Sequence, residues 1–235
     1  TPEGWQAQVV EFRIRHGNTT LLVLDAKAGQ LAGKDQAVKA TGRWSADLPE
    51  WLSQPVVAGK VQLASGAVQG EFTASMDGAM AIETKLTMTN LVPATKERLP
   101  EVSAGLRADI AADHHITFKA PVVFTQDGRK SDLLFAGEVV PGDPVSTIDG
   151  RLSGEMVVVE DVKLLTLLMP TEGTPREPGG PEAAPAWGGL KGQIALSFKK
   201  LVYGGTYVVS DVAGTVRLDP NSAKIEGVHA MFGAD

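Results

Sequence analysis

The chain has 235 residues, of which 22 are Lys or Arg and 28 Asp or Glu, giving a net charge of −6, with 26 Gly, 14 Pro and no Cys. The lack of cysteine excludes a disulfide scaffold, a thiolate zinc site, an iron–sulfur cluster and a cysteine nucleophile. Mild acidity with scattered Lys and Arg argues against nucleic acid as a partner, and 43% hydrophobic residues argue against disorder of the whole.

Period-2 alternation runs from end to end and predicts an all-β, mainly antiparallel chain. Val10, Phe12 and Ile14 oppose Glu11, Arg13 and Arg15, and Val38, Ala40 and Trp44 oppose Lys39, Thr41 and Arg43. Asp47-Leu-Pro-Glu-Trp-Leu52 then predicts a short helix with an Asp cap and Pro in its first turn. Met80, Ile82, Leu86, Met88 and Val92 share a parity against Glu83, Lys85, Thr87 and Thr89. Leu106, Ala108 and Ile110 repeat the pattern, as do Ile116, Phe118 and Phe124. From 148 to 158, Ile148, Gly150, Leu152, Gly154, Met156 and Val158 oppose Asp149, Arg151, Ser153 and Glu155.

Hairpin turns are predicted at His16-Gly-Asn18, Ala28-Gly-Gln30, Asp77-Gly78, Asp127-Gly128, Tyr203-Gly-Gly205 and Asp219-Pro-Asn221. Their spacing suggests a meander of about eleven to thirteen strands rather than βαβ units. A second helix is predicted over Asp161–Met169, capped by Asp161 and stopped by Pro170, with Val162, Leu165, Leu168 and Met169 on one face.

Five prolines in 170–187 rule out a strand ladder there. The expected organisation is an extended antiparallel sheet over 1–169 ending in the short helix, a flexible insert at 170–187, and a C-terminal β unit of about four strands over 188–235. Thr-Pro-Glu-Gly at the start and Phe-Gly-Ala-Asp at the stop read as cut ends of a longer protein. No signal peptide stands at Thr1, and no run is apolar and long enough for a membrane-spanning helix.

Candidate chemistry is sparse. His114 and His115 are adjacent, but strand neighbours point to opposite faces, and no histidine has a partner at a ligand spacing. Asp109 and Asp113 share a parity, for which a solvated face is the simpler account, and helix capping explains Asp161. No nucleophile elbow, dinucleotide fingerprint, phosphate loop or calcium loop occurs. The expectation is a non-enzyme without cofactor or metal.

The one-sided apolar parity is the informative feature. Ile194, Leu196 and Phe198 alternate with Gln193, Ser197 and Lys199, and Val212, Gly214, Val216 and Leu218 with Asp211, Thr215 and Arg217. A sandwich whose two apolar faces interdigitate is the plainer reading. The sharper one is an elongated, strongly curved sheet or groove whose apolar face holds acyl chains. Small residues at Ala108, Ala120, Gly150, Gly154 and Gly214 leave room in it. An outer-membrane barrel would need aromatic girdles, and aromatics make up 6% of the chain.

From Leu152 on, the layout resembles the C-terminal region of the AsmA-like proteins. The strand Leu152–Val159 leads to the Leu-rich helix, the Pro-rich insert and Leu190-Lys-Gly-Gln-Ile-Ala-Leu-Ser-Phe-Lys-Lys-Leu-Val-Tyr-Gly-Gly205. Val208-Val-Ser-Asp-Val-Ala-Gly-Thr-Val-Arg-Leu218 follows, then a last strand ending in Ala230-Met-Phe-Gly233. The match covers about 80 residues by motif. It implies a segment projecting into the periplasm of a bacterium with two membranes, from a protein anchored in the inner membrane through a region absent from this chain. The larger bridge-like relatives are thought to carry phospholipids along an apolar groove. On that basis phospholipid or another lipid is the expected partner, with envelope proteins as further partners. Leu152, Met156, Val158, Ile194, Leu196, Phe198, Val212, Val216 and Leu218 would then line the groove. The alternative is a structural or assembly module for outer-membrane biogenesis with a closed core and no lipid.

Overall fold

The computed structural model describes residues 4–30, 37–53, 63–93, 98–168 and 187–232, with side chains for all of these except 165–168. Twelve strands form one sheet in chain order, and it does not close into a barrel. They are β1 (Gln6–His16), β2 (Thr19–Gln30), β3 (Val38–Asp47), β4 (Leu63–Asp77), β5 (Ala79–Pro93), β6 (Glu101–Ile110), β7 (Ile116–Gln126), β8 (Arg129–Val140), β9 (Ser146–Val158), β10 (Leu190–Tyr203), β11 (Tyr207–Asp219) and β12 (Ser222–Met231). Helix α1 (Leu48–Leu52) follows β3, and α2 (Val159–Leu168) follows β9.

Neighbouring strands pair antiparallel throughout, except that β9 and β10 run parallel. A parallel pair needs a crossover, and α2 with the chain up to β10 supplies it. The meander expectation therefore holds on both sides of this step and fails at it. Residues 190–231 extend the same sheet as three strands rather than about four. No second sheet exists among the described residues, so the plainer reading of two facing sheets gives way to one open sheet. The insert at 170–186 and the closing residue Gly233 lie outside the described residues.

Five of the six predicted turns stand where expected. Asp127 and Gly128 both have positive φ, of 50° and 80°, as the two-residue hairpin of β7 and β8 requires. The exception is Ala28-Gly-Gln30. Strand β2 continues through Gln30, which pairs with Val38.

Alternation carries the face assignment only until a bulge intervenes, and three places depart from expectation. The β1–β2 register shifts between Val9 and Phe12, so Val9, not Val10, shares the face of Phe12. In β5 Asn90 takes φ 54°, and it is Leu91, 1% exposed, that enters the core rather than Val92. In β9 the β8–β9 register ends at Ser153, after which Val157 joins the rim core, off the parity of Met156 and Val158 that was expected to continue the groove lining.

The main core gathers along one rim of the sheet. It joins Leu48 of α1 and Leu164 of α2 to Leu63, Val68, Leu91, Val102, Phe124, Leu133 and Val157. Helix α1 is built as read: the Asp47 carboxylate accepts from Glu50 N at 3.1 Å, and Pro49 stands in the first turn. Helix α2 begins two residues before the predicted cap. Asp161 sits inside its first turn, buried.

Candidate functional site

The strand register turns the separate parities into continuous rows. Directly opposed residues lie on the same face of a sheet, so a row can be followed from strand to strand. One row runs from edge to edge through Ala7, Ala28, Ala40 and Ala74. It continues through Ile82, Ala108, Phe118 and Gly137. It ends through Gly150, Ile194, Val216 and Ile225. Twelve strands contribute and no member is polar. A parallel row through Phe12, Leu24, Trp44, Gly70, Leu86, Ala104, Val122 and Leu133 flanks it toward the helices.

Aromatic rings on this face lie along the sheet rather than standing away from it. Trp44 covers Gly70, where an added Cβ would come within 2.6 Å of the indole. Phe72 covers Gly42 in the same way, at 2.5 Å, and the Phe135 ring lies 3.0 Å from a Cβ built on Gly150. Glycine opposite a large ring lets the ring fold down and shields the glycine backbone. The glycines on the apolar parity thus serve to seat rings as well as to leave room. Phe118 and Phe135 meet edge to face with centroids 4.9 Å apart.

The opposite face is charged. Glu71, Lys85 and Glu83 form exposed ion pairs, and Arg107 pairs with Asp109. Lys199 pairs with Glu155, and Arg217 with Glu226. Hollows of about 530 and 650 Å³ indent this face over β1–β7. Asp25, Arg43, Glu71 and Lys85 line both, and such mixed signs give no net pull on a charged ligand.

The nine residues expected to line a groove fall into three groups. Ile194 and Val216 stand in the twelve-strand row; Leu152 faces Leu196, and Phe198 faces Val212, on the same side. All six are half-buried. Leu152 and Phe198 also pack against the rim core. Val158 and Leu218, 3% and 8% exposed, are closed off by neighbours. Met156 lies opposite Lys200, past the point where β9 leaves its ladder with β8. Sequence reasoning overlooked the part of the face on β1–β8, including Ile82 and Phe118, as lining. Its signal was the same alternation, which no family word marks there.

Polar groups hold the helix rim together. Arg129 Nη2 donates to Asp161 Oδ1 at 2.9 Å. Burial pushes the Asp161 carboxyl up, and the Arg129 guanidinium pulls it back only in part. Where β9 leaves the ladder, Ser131 Oγ accepts from Val158 N at 3.0 Å. The Asp132 carboxylate accepts from Glu155 N and Met156 N, both at 3.1 Å. Glu160 Oε1 accepts from Gly204 N at 2.8 Å, which holds that carboxyl below its ordinary value. The carboxylates and histidines weighed as catalytic candidates stay apart. Asp109 binds Arg107, the Asp113 carboxylate accepts from His115 N, and His115 Nε2 lies 3.3 Å from Glu138 Oε2. Among the described residues no three His, Asp or Glu side chains converge on a metal position, and no helix is long and apolar enough to cross a membrane.

No family model, no curated protein and no solved structure matches this chain.

Proposed function

We propose that this chain is a non-enzymatic lipid-binding segment whose apolar sheet face holds the acyl chains of a phospholipid while head groups stay in water at the rims. The observation that carries the reading is the unbroken apolar row from Ala7 on β1 to Ile225 on β12. The eleven spacings between twelve strands, at about 4.8 Å each, make a path of roughly 53 Å. The acyl chains of one bilayer leaflet span about 15 Å, so the path accommodates lipid at more than one position along it. Each buried methylene contributes about 0.8 kcal/mol wherever it sits on such a surface. A path of small, aliphatic and aromatic groups with no polar member therefore favours binding without fixing one place, which suits movement along it.

The resemblance of 152–233 to the AsmA-like proteins supplies the setting: the periplasm, with lipid passing between inner and outer membranes. The test is native mass spectrometry of gently purified protein, followed by exchange with vesicles of defined phospholipid. Bound phospholipid that Ile82→Asp and Val216→Asp each displace, with the fold retained, supports the reading. Protein free of lipid before and after vesicle exchange overturns it.

The closed-core alternative draws on the rim cluster, where α1 and α2 pack against one rim of the apolar face. It predicts a folded, lipid-free protein in the same experiment.

A further inference from the structure

Two methionines oppose each other across the hairpin of β4 and β5. Met76 pairs with Met80 in the ladder, beside the turn where Gly78 takes φ 75°. They are 46% and 37% exposed. Met88, by contrast, packs against the rim core, and Met156 is half-buried. Directly opposed residues have Cβ atoms about 4.5–5.5 Å apart, so the two thioethers form one small sulfur patch open to solvent.

Register places this pair on the apolar face. Ala74 and Ile82, two residues further along the same strands, belong to the twelve-strand row. The methionines belong to a second row nearer the turns, which runs from Val38 through Met76, Met80, Ile110 and Ile116 to Val139. Every one of these is apolar. The side chains next to the pair on this face, Val38, Ala74, Ile82 and Ile110, offer no hydrogen-bond donor. A polar oxygen placed on either sulfur is therefore satisfied only by water.

We propose that Met76 and Met80 are an oxidation site through which a peroxide switches off acyl-chain binding on this part of the face. Each thioether sulfur attacks the outer oxygen of a peroxide ROOH. The O–O bond breaks, an S–O bond forms, and the hydroperoxide proton passes to the departing oxygen, which leaves as ROH. Sulfur loses two electrons and the peroxide gains them. A flexible apolar side chain thereby becomes a polar sulfoxide. Both positions are exposed, so the sulfoxides stay hydrated and the hairpin keeps its ladder. Under an acyl chain the same oxygens lose that water with nothing in its place, which opposes binding. The oxidation follows from exposure and sulfur chemistry alone, whereas the loss of lipid rests on the lipid-binding reading above.

The test treats the whole chain with graded hydrogen peroxide, then applies peptide mapping and native mass spectrometry after exchange with phospholipid vesicles. Met231, 51% exposed on β12, is the internal reference. Met76 and Met80 should oxidise as fast as Met231 and several-fold faster than Met88 and Met156. Bound phospholipid should then fall about tenfold, with circular dichroism unchanged. It should return after methionine sulfoxide reductases for both epimers have acted. The double variant Met76→Leu/Met80→Leu keeps the row apolar, so it should retain phospholipid after the same treatment while Met231 still oxidises. Oxidation of the pair no faster than that of Met88 overturns the proposal. So does full phospholipid binding with both sulfoxides formed, a loss accompanied by unfolding, or an equal loss in the double variant. Protein that carries no phospholipid before any peroxide is added overturns the lipid-binding reading itself, and the switch with it.

Discussion

Arg129 on β8 and Asp161 in the first turn of α2 are 32 residues apart in sequence, and their side chains meet at 2.9 Å. The Asp161 side chain is 5% exposed and that of Arg129 38%, so the carboxylate carries nearly all of the burial. Removing its partner leaves a buried charge uncompensated. Arg129→Met should cost about 3 kcal/mol at neutral pH, near the low end for such pairs because the arginine is partly solvated. The cost should shrink in acid. Asp161 has a folded pKa above its unfolded one, so the native state keeps the proton longer. Its contribution to stability is thus greatest below the ordinary carboxylate range and falls as pH rises through the folded value. Urea unfolding of both proteins at neutral and mildly acid pH checks this; an equal cost at both would show that the pair is not ionic.

Ser131 is 1% exposed, and its Oγ accepts a hydrogen bond from Val158 N at 3.0 Å where β9 turns toward α2. Ser131→Ala should destabilise by about 1–3 kcal/mol, the cost of a buried donor left unmet. Hydrogen exchange should show faster opening at Val158 and little change in β2–β5.

Gly70 and Trp44 form a ring seat on the apolar face nearly as tight as that of Phe72 over Gly42. Gly70→Ala pushes against the indole and should cost about 1–3 kcal/mol. In a Trp44→Ala background the same change should be nearly neutral, since the obstructing ring is gone. A double-mutant cycle by urea unfolding reads the coupling, expected at about 1 kcal/mol or more.

Leu196 separates the two functional readings. It lies between Leu152 and Gly214 in the ladder, half-buried and outside the rim cluster. Leu196→Asp should leave a folded protein that has lost bound phospholipid, seen by circular dichroism and native mass spectrometry together. Unfolding instead would place Leu196 in a closed core.

Asp47 caps α1, the helix that carries Leu48 into the rim core. Asp47→Ala should cost about 1 kcal/mol, measured as a lower urea midpoint with an unchanged slope.

Much of this architecture is written locally. Alternation at Ile194, Leu196 and Phe198 needs only the two-residue period of a strand. Gly78 and Asp127-Gly128 mark turns because positive φ suits few residues. The Asp47 cap likewise depends on three consecutive peptide groups. For such features the sequence by itself determined an all-β chain with one apolar face, two short helices and most hairpin turns.

What required the tertiary structure is non-local. A bulge at Val10–Glu11 or a left-handed Asn90 shifts parity without a fixed sequence signal, because the partner strand decides whether an extra residue is accommodated. The parallel step from β9 to β10 depends on where the chain returns after α2. Asp161 reads as a helix cap until Arg129 is brought to it from another hairpin. Composition and charge excluded cysteine chemistry and argued against nucleic acid. Only the pairing of all twelve strands arranged scattered alanines, glycines and aliphatics into one row across the sheet, because opposition between strands, not order along the chain, decides which side chains are neighbours.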